Sequence, residues 1–235
     1  MYSEIFTGDL SDKRFYGIYR GVVVDNTDPN KQGRIKLQVP QILGPAITSW
    51  AWPIVGVPVH NKTPYGSFYD TTASVTSTTT EKVIALGTTA DAYGVSIVNG
   101  TKMTFDYAGV YNIQFSAQVY QPSNGNPAIN FWIKKNGTKV DATTGQVDLS
   151  NQNHYALPAW NYVLKLNAGD YIEFWWNSSA TVNLVTTAAG TYAPSAPAMI
   201  ATATLVGGYT PQPGDGCWVM FEGGDPNFPL WLGAF

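Results

Sequence analysis

The chain has 235 residues, of which 44% are hydrophobic, 14% aromatic and only 12% charged, and its formal net charge is −3. This apolar and aromatic content excludes a disordered chain, and the acidic balance argues against nucleic-acid binding, which needs a basic surface. The single cysteine excludes an internal disulfide and a zinc site built on several cysteines.

The N-terminal part begins with an irregular stretch and continues as a β unit. Residues 1–15 carry mixed charge without a period and are predicted to form an arm that either docks on a partner or frays. Their MYSEIFTGDL start has neither a basic region nor an apolar run, so no signal peptide is expected. Residues 16–56 are rich in β-branched and aromatic residues, and they contain a turn at 25–33 with proline and glycine. After it, Ile35, Leu37 and Val39 alternate with period two, which predicts a strand.

The middle of the chain, 57–208, is rich in Thr and Asn and has several alternating strands. The clearest runs from Val110 to Val119, followed by apolar alternation around Phe131, an Asn136-Gly137 hairpin turn, and a strand that ends in Trp176. With weaker candidates at 82–86 and 93–98, the pattern predicts about eight or more strands, typical of a jelly-roll β-sandwich. No stretch approaches the ~20 apolar residues of a membrane span.

The C-terminal part, 209–235, contains two further predicted strands, Cys217 to Glu222 and Pro229 to Gly233, separated by a Gly-Asp-Pro turn. Residues 16–56 are too short to close a barrel, and 209–235 supply the missing strands. The sequence therefore predicts an all-β chain in which a discontinuous five-stranded barrel is interrupted by an inserted sandwich at 57–208. Trp218 and Trp231 are both expected in the barrel core.

The end segments resemble the OB domain of phage baseplate hub and tail-spike proteins, which also occurs in the type VI secretion spike. The residues that carry the resemblance are Tyr19-Arg20-Gly21-Val22-Val23-Val24-Asp25-Asn26, Asp28-Pro29, Gly33-Arg34-Ile35-Lys36-Leu37, Trp50-Ala51-Trp52-Pro53 and Gly214 to Gly233. The chain departs from that family because the middle segment replaces a short loop, and because neither a β-helix needle after Phe235 nor a helical wall-cleaving domain is expected.

The middle segment more loosely resembles the trimeric jelly rolls of the complement and tumour-necrosis-factor superfamily. Gly109 to Ser116, Leu166 to Phe174 and Ala203 to Gly207 carry this second resemblance.

Four aromatic residues of the middle segment are the candidate contact residues. Trp132 and Trp175 lie on the opposite parity from their inward-facing neighbours, and Tyr120 and Tyr192 lie at strand ends or in loops. Exposed aromatic rings pack in subunit interfaces; they also stack on the apolar faces of sugar rings. The sequence leaves both alternatives open, together with ordinary isolated exposure.

No catalytic, cofactor or metal site is expected. Asp170 is predicted to bond its own turn, Glu173 is predicted to face solvent beside Ile172, and His60 and His154 lack a nucleophile partner. The acidic turn at 25–30 lacks the distal glutamate of a calcium-binding EF-hand and is explained better as a hairpin turn.

The resemblances together imply a structural component of a tailed-phage baseplate hub or tail tip. Such a protein would be made in the host cytoplasm, assemble as a homotrimer through the barrel, and contact other baseplate or tail-tube proteins in the virion. Recognition of a host-surface glycan by the inserted domain is the alternative, and a depolymerase is a more remote one.

Overall fold

A computed structural model describes residues 13–30, 32–54, 63–72, 74–76, 80–207 and 210–235, with the backbone alone for 74–76. The first twelve residues of the predicted arm, His60 and the predicted boundaries at 56–57 and 208–209 lie outside the described residues. The strands are β1 (Tyr19–Asp25), β2 (Lys36–Gln38), β3 (Trp52–Pro53), β4 (Tyr65–Asp70), β5 (Ser74–Thr76), β6 (Lys82–Val83), β7 (Thr88–Tyr93), β8 (Val95–Val98), β9 (Lys102–Phe105), β10 (Gly109–Ala117), β11 (Val119–Gln121), β12 (Ala128–Lys135), β13 (Thr138–Lys139), β14 (Gly145–Asp148), β15 (His154–Ala156), β16 (Ala159–Leu166), β17 (Tyr171–Ser178), β18 (Val182–Leu184), β19 (Met199–Gly207), β20 (Gly216–Phe221) and β21 (Pro229–Ala234).

Helix is confined to two short pieces in the described part of the chain. They are one α-helical turn, α1 (Pro40–Leu43), and a 3₁₀ turn at Glu222–Gly224. No helix among the described residues is long and apolar enough to cross a membrane. The prediction of an all-β fold with more than one sheet is confirmed.

The chain divides into two compact units. The first draws on the two ends, up to Thr63 and from Gly207, together with Tyr107–Gly109, and the second comprises Pro64–Asp106 and Val110–Val206.

The first unit is a five-stranded sheet with the order β2-β1-β20-β21-β3. β1 pairs antiparallel with both β2 and β20, whereas β21 pairs parallel with β3. Antiparallel bridges from Ile35 to Ala51 and from Gln38 to Ile47 join the two edges of the sheet, so the sheet closes into a small barrel. Its interior includes Val23, Leu37 and Trp231, none more than 2% exposed.

The outward face of β20 corrects one prediction. Cys217, Val219 and Phe221 alternate into the barrel, so Trp218 points outward and is 37% exposed. The prediction that Trp231 is core is confirmed, and the prediction that Trp218 is core is wrong.

The second unit consists of three sheets around one core. Their orders are β16-β10-β19-β4-β7, β15-β11-β18-β5 and β13-β12-β17-β9-β8, with β14 added on β12 and β6 on β17. Phe115 of β10 contacts Phe131 of β12 at a ring-centroid distance of 5.6 Å, which shows that the first and third sheets face each other. The core also takes in Val119 and Leu184 of the second sheet, so the unit is a β-sandwich.

The predicted alternation explains this core. Tyr111, Ile113 and Phe115 are buried as expected for one face of β10. The hairpin between β12 and β13 has its predicted turn residues, because Asn136 and Gly137 both have positive φ, as a type I′ turn requires.

Candidate functional site

Trp132 and Trp175 are direct cross-strand neighbours on β12 and β17. Trp175 is partly exposed. Trp132 is only 7% exposed, so the prediction that Trp132 presents an open ring to solvent is wrong. Its indole Nε1 has no hydrogen-bond partner among the described residues.

Lysine side chains contact both tryptophan rings. The Lys134 Nζ lies 3.5 Å from the Trp175 ring centroid, and the Lys139 Nζ lies 5.3 Å from the Trp132 ring centroid. Glu81 bonds both ammonium groups, at 3.3 Å from Lys134 and 3.1 Å from Lys139. Hydrogen bonds from these two lysines lower the pKa of the Glu81 carboxyl, and Lys139 has the larger effect. The tryptophan pair therefore belongs to a charged network, and a sugar ring would have to displace Lys134 to stack on Trp175.

Tyr120 and Tyr192 are not on the sheet that holds the tryptophan pair. Tyr120 lies on β11 of a different sheet, and Tyr192 lies in the loop after β18. The Tyr120 hydroxyl donates a hydrogen bond to Asn153 Oδ1 at 2.6 Å. Its ring contacts that of Tyr155 at a centroid distance of 4.6 Å, and Tyr155 is 63% exposed. Tyr192 is fully exposed, as predicted.

The sequence pattern did not single out Tyr155. The signal that could have found it is the alternation of Tyr155 and Leu157 with smaller or polar neighbours, in β15 and just after it.

The carboxylates considered for catalysis have structural partners. Asp170 accepts hydrogen bonds of 2.7 Å from the Asn167 backbone N–H and from Asn136 Nδ2, and its Oδ2 lies 2.7 Å from Lys135 Nζ. Burial raises the pKa of Asp170, but Lys135 and these hydrogen bonds outweigh burial and leave that pKa lowered. The predicted local bond of Asp170 is therefore confirmed.

The prediction for Glu173 is wrong. Glu173 was predicted to face solvent, but it is only 8% exposed. Its carboxylate accepts hydrogen bonds from Thr101 Oγ1 at 3.1 Å and from Trp175 Nε1 at 3.4 Å. No group of three or more His, Cys, Asp or Glu that could hold a metal ion occurs in the part of the chain that the structure describes.

The turn between β1 and β2 is organised by an ion pair. The Arg34 Nη2 lies 2.6 Å from Asp28 Oδ1, and these side chains are only 12% and 4% exposed. The Asp28 carboxylate also accepts hydrogen bonds from three backbone N–H groups, those of Asn30, Gln32 and Arg34. The hydrogen bond from Arg34 holds the pKa of Asp28 far below its ordinary value. The carboxylate of the acidic turn is therefore paired with an arginine at the end of the same turn.

The barrel exposes an aromatic surface patch, formed by Arg20, Val22, Trp218 and Phe235. Arg20 lies opposite Trp218, and Val22 lies opposite Gly216, in the β1–β20 pairing. The Trp218 and Phe235 rings are 4.8 Å apart, and the Arg20 guanidinium carbon lies 5.4 Å from the Trp218 ring centroid and 5.6 Å from that of Phe235. Val22 and Phe235 are 44% and 50% exposed. Arginine and aromatic side chains are the types that protein interfaces favour.

Residues 19–57 match the family model of the Type VI secretion system/phage-baseplate injector OB domain. The matched segment contains β1, β2, α1 and β3, together with the Asp28–Arg34 pair. The resemblance of the N-terminal end segment to this baseplate family is thus confirmed, and the match does not extend to the C-terminal segment from Gly214 to Gly233.

Among solved structures, the chain is similar to the globular domain of the zebrafish complement 1qA protein, at 11% identity over 61% of this chain and 97% of that one, with a TM-score of 0.40. It is also similar to the structure of Eiger TNF from S. frugiperda, at 12% identity over 64% of this chain and 97% of that one, with a TM-score of 0.43. A search of curated proteins found no match.

Proposed function

We propose that this protein is a structural component of a tailed-phage baseplate hub or tail tip, located in the virion. The observation that carries the proposal is the match of 19–57 to the baseplate injector OB domain, in a segment that closes a barrel with the C-terminal strands. The barrel's partners would be other baseplate or tail-tube proteins.

We propose further that the protein forms a homotrimer through the barrel. The aromatic surface patch supports this, because Trp218 and Phe235 are large apolar side chains that a monomer leaves in water. A closed ring of three copies needs a second, different surface to receive that patch. Trp52 and Phe228, which are 46% and 59% exposed, supply apolar surface elsewhere on the barrel.

Light scattering coupled to gel filtration tests the trimer, since three copies of a 25.5 kDa chain give a distinct mass. Trp218→Asp and Arg20→Glu are expected to reduce that mass, whereas Val98→Asp, which adds a charge at an exposed apolar side chain of the other unit, is expected to leave it unchanged. Unfolding midpoints establish that each variant is folded. A wild-type protein that stays monomeric at high concentration would contradict the trimer.

We also propose that the chain is not an enzyme. Asp170 is held by hydrogen bonds and an ion pair, and Glu173 by hydrogen bonds. Neither carboxylate is therefore free to act as a general acid or base. Release of reducing ends from host envelope by the purified chain would overturn this and favour a depolymerase.

Contact with a host-surface glycan through the second unit is the alternative function. Its support is the exposed Tyr155 ring, backed by Tyr120. Neither member of the Trp132–Trp175 pair gives it similar support, because Trp132 is buried and Lys134 occupies the Trp175 face.

A further inference from the structure

Three adjoining grooves form a trough over the outer face of the β16-β10-β19-β4-β7 sheet. Their volumes are about 420, 430 and 510 Å³, and Ile200 lines all three. Ser116 joins the first groove to the second, and Pro197 joins the second to the third. The three grooves therefore meet around Ile200 and offer adjoining places for one extended ligand.

The described residues that line the trough are uncharged. They combine amides and hydroxyls, such as Gln114, Ser116 and Asn161, with the apolar side chains of Leu157 and Ile200. Among the residues that the structure describes, no lysine, arginine, aspartate, glutamate or histidine lines any of the three grooves. This differs from the Trp132–Trp175 surface, where Lys134, Lys139 and Glu81 meet. Amides and hydroxyls both donate and accept hydrogen bonds, which suits a ligand rich in neutral hydroxyls.

Tyr155 provides an exposed aromatic ring in the middle groove. It lies directly opposite Tyr120 in the β11–β15 pairing, and the two rings are 4.6 Å apart. The hydrogen bond from the Tyr120 hydroxyl to Asn153 Oδ1 holds the supporting ring in place. Tyr155 itself is 63% exposed and Leu157 beside it is 64% exposed. A ring ordered before binding loses little conformational entropy when a ligand stacks on it.

A second tyrosine lies in the third groove. Tyr69 of β4 lines this groove together with Ser67, Thr71 and Thr187. The trough thus contains aromatic rings in separate grooves, each accompanied by hydroxyl groups, which is an arrangement for successive residues of one chain-like ligand.

We propose that this trough binds a neutral oligosaccharide, with Tyr155 as the ring on which one sugar stacks. The apolar C–H face of a sugar fits an exposed tyrosine, and the surrounding amides and hydroxyls bond its hydroxyl groups. The inference rests on the glycan-contact alternative of the proposed function and moves its site from Trp132 and Trp175 to the trough.

Isothermal titration of the full chain with neutral linear hexasaccharides of glucose, mannose, galactose and N-acetylglucosamine tests the site, with oligogalacturonate as the charged comparison. At least one neutral series is expected to bind, and Tyr155→Ala is expected to weaken that binding by about tenfold or more. Tyr155→Phe keeps the ring and is expected to retain most of the affinity. Tyr16→Ala removes an exposed tyrosine of the first unit, away from the trough lining, and serves as the matched control.

Several outcomes would overturn the proposal. They are binding of oligogalacturonate alone, loss of binding in Trp175→Ala but not in Tyr155→Ala, or no binding of any neutral series at about 10 mM, beyond the ordinary range of weak affinity. If the wild type binds no sugar and Ile200→Lys lowers the oligomeric mass, the trough would be a contact surface for a second copy of the chain. Trp218→Asp separates the two proposals, because it is expected to change the oligomeric mass while sugar binding persists.

Discussion

Removal of the charge on Asp28 is expected to destabilise the barrel strongly. In Asp28→Asn the side chain keeps its shape, but it loses the charge-assisted hydrogen bond from Arg34 Nη2, which is 2.6 Å long in the wild type. Its amide N–H₂ also replaces one acceptor oxygen. In the Oδ1 position it would face the guanidinium and the Asn30 N–H, and in the Oδ2 position it would face the Gln32 and Arg34 N–H groups. Hydrogen bonds to charged groups contribute about 1.5–3 kcal/mol, and an unpaired buried partner adds to the loss. We therefore expect a destabilisation of about 2–4 kcal/mol.

Urea unfolding measures this effect. A loss of about 3 kcal/mol corresponds to a midpoint lowered by roughly 1–2 M. Asp25→Asn is the matched control in the same turn: Asp25 bonds the Thr27 backbone N–H and its ion pair with Lys36 is 4.0 Å long and more exposed, so a much smaller change is expected. Equal midpoints for Asp28→Asn and the wild type at neutral pH would refute the structural role of the ion pair.

The pH dependence of the Asp28 effect has a definite sign. The folded pKa of Asp28 lies below the ordinary value of 3.8, so ionised Asp28 stabilises the folded state fully above that value. The stabilisation is lost as the pH falls below 3.8 and through the lower folded pKa. The difference in stability between wild type and Asp28→Asn should be constant from about pH 5 upwards and shrink in acid. A difference that grew in acid would contradict this assignment.

Three other changes test the sandwich and the barrel core. A Cβ on Gly145 would lie 2.3 Å from Trp160 Cε2, and the Trp160 ring is packed on Phe115 and Phe131. Gly145→Ala should therefore lower the free energy of unfolding in urea by about 1–3 kcal/mol, whereas Gly190→Ala, which has open space around its Cβ, should not. Thr143 is 4% exposed, and its Oγ1 accepts the Ile133 N–H and donates to Val140 O; Thr143→Val should lower stability by about 1–3 kcal/mol, and Thr143→Ser should recover most of it if the hydroxyl is responsible. Burial raises the pKa of Cys217 to about 12, and its side chain is fully buried, so labelling by Ellman's reagent at pH 8 should follow the rate of barrel opening; rapid complete labelling of the native protein would contradict the packing of β20.

Much of the fold was predictable because β-strand alternation is local. Tyr111, Ile113 and Phe115 alternate along one strand, and their burial follows from that pattern in any two-layer sandwich. The turn at Asn136-Gly137 was equally local, because two consecutive residues that tolerate positive φ specify a two-residue hairpin. Short strands such as β7 and β9 were not predicted, since few residues and mixed polarity give no clear period.

The candidate site was only partly predictable. Trp132 has the parity of an outward residue, yet Lys139 and its partner Glu81 cover it. The pattern of β12 does not predict these contacts, because both residues lie outside that strand. Glu173 is buried for a comparable reason, because Thr101, distant in sequence, bonds its carboxylate. Trp218 was misplaced because β20 is apolar on both faces, so composition alone did not say which face is inside.

The all-β class and the inward faces of the longer strands could be read from the chain alone, because they follow from periodicity along single strands. The baseplate-type segment at 19–57 could be recognised through its resemblance to a known family. Which aromatic residues remain open to solvent was set by packing between distant parts of the chain. This packing placed Tyr155 against Tyr120 and joined three grooves at Ile200, and it covered Trp132. Exposure depends on what packs over a strand from remote parts of the chain, and that information is absent from the strand's own pattern.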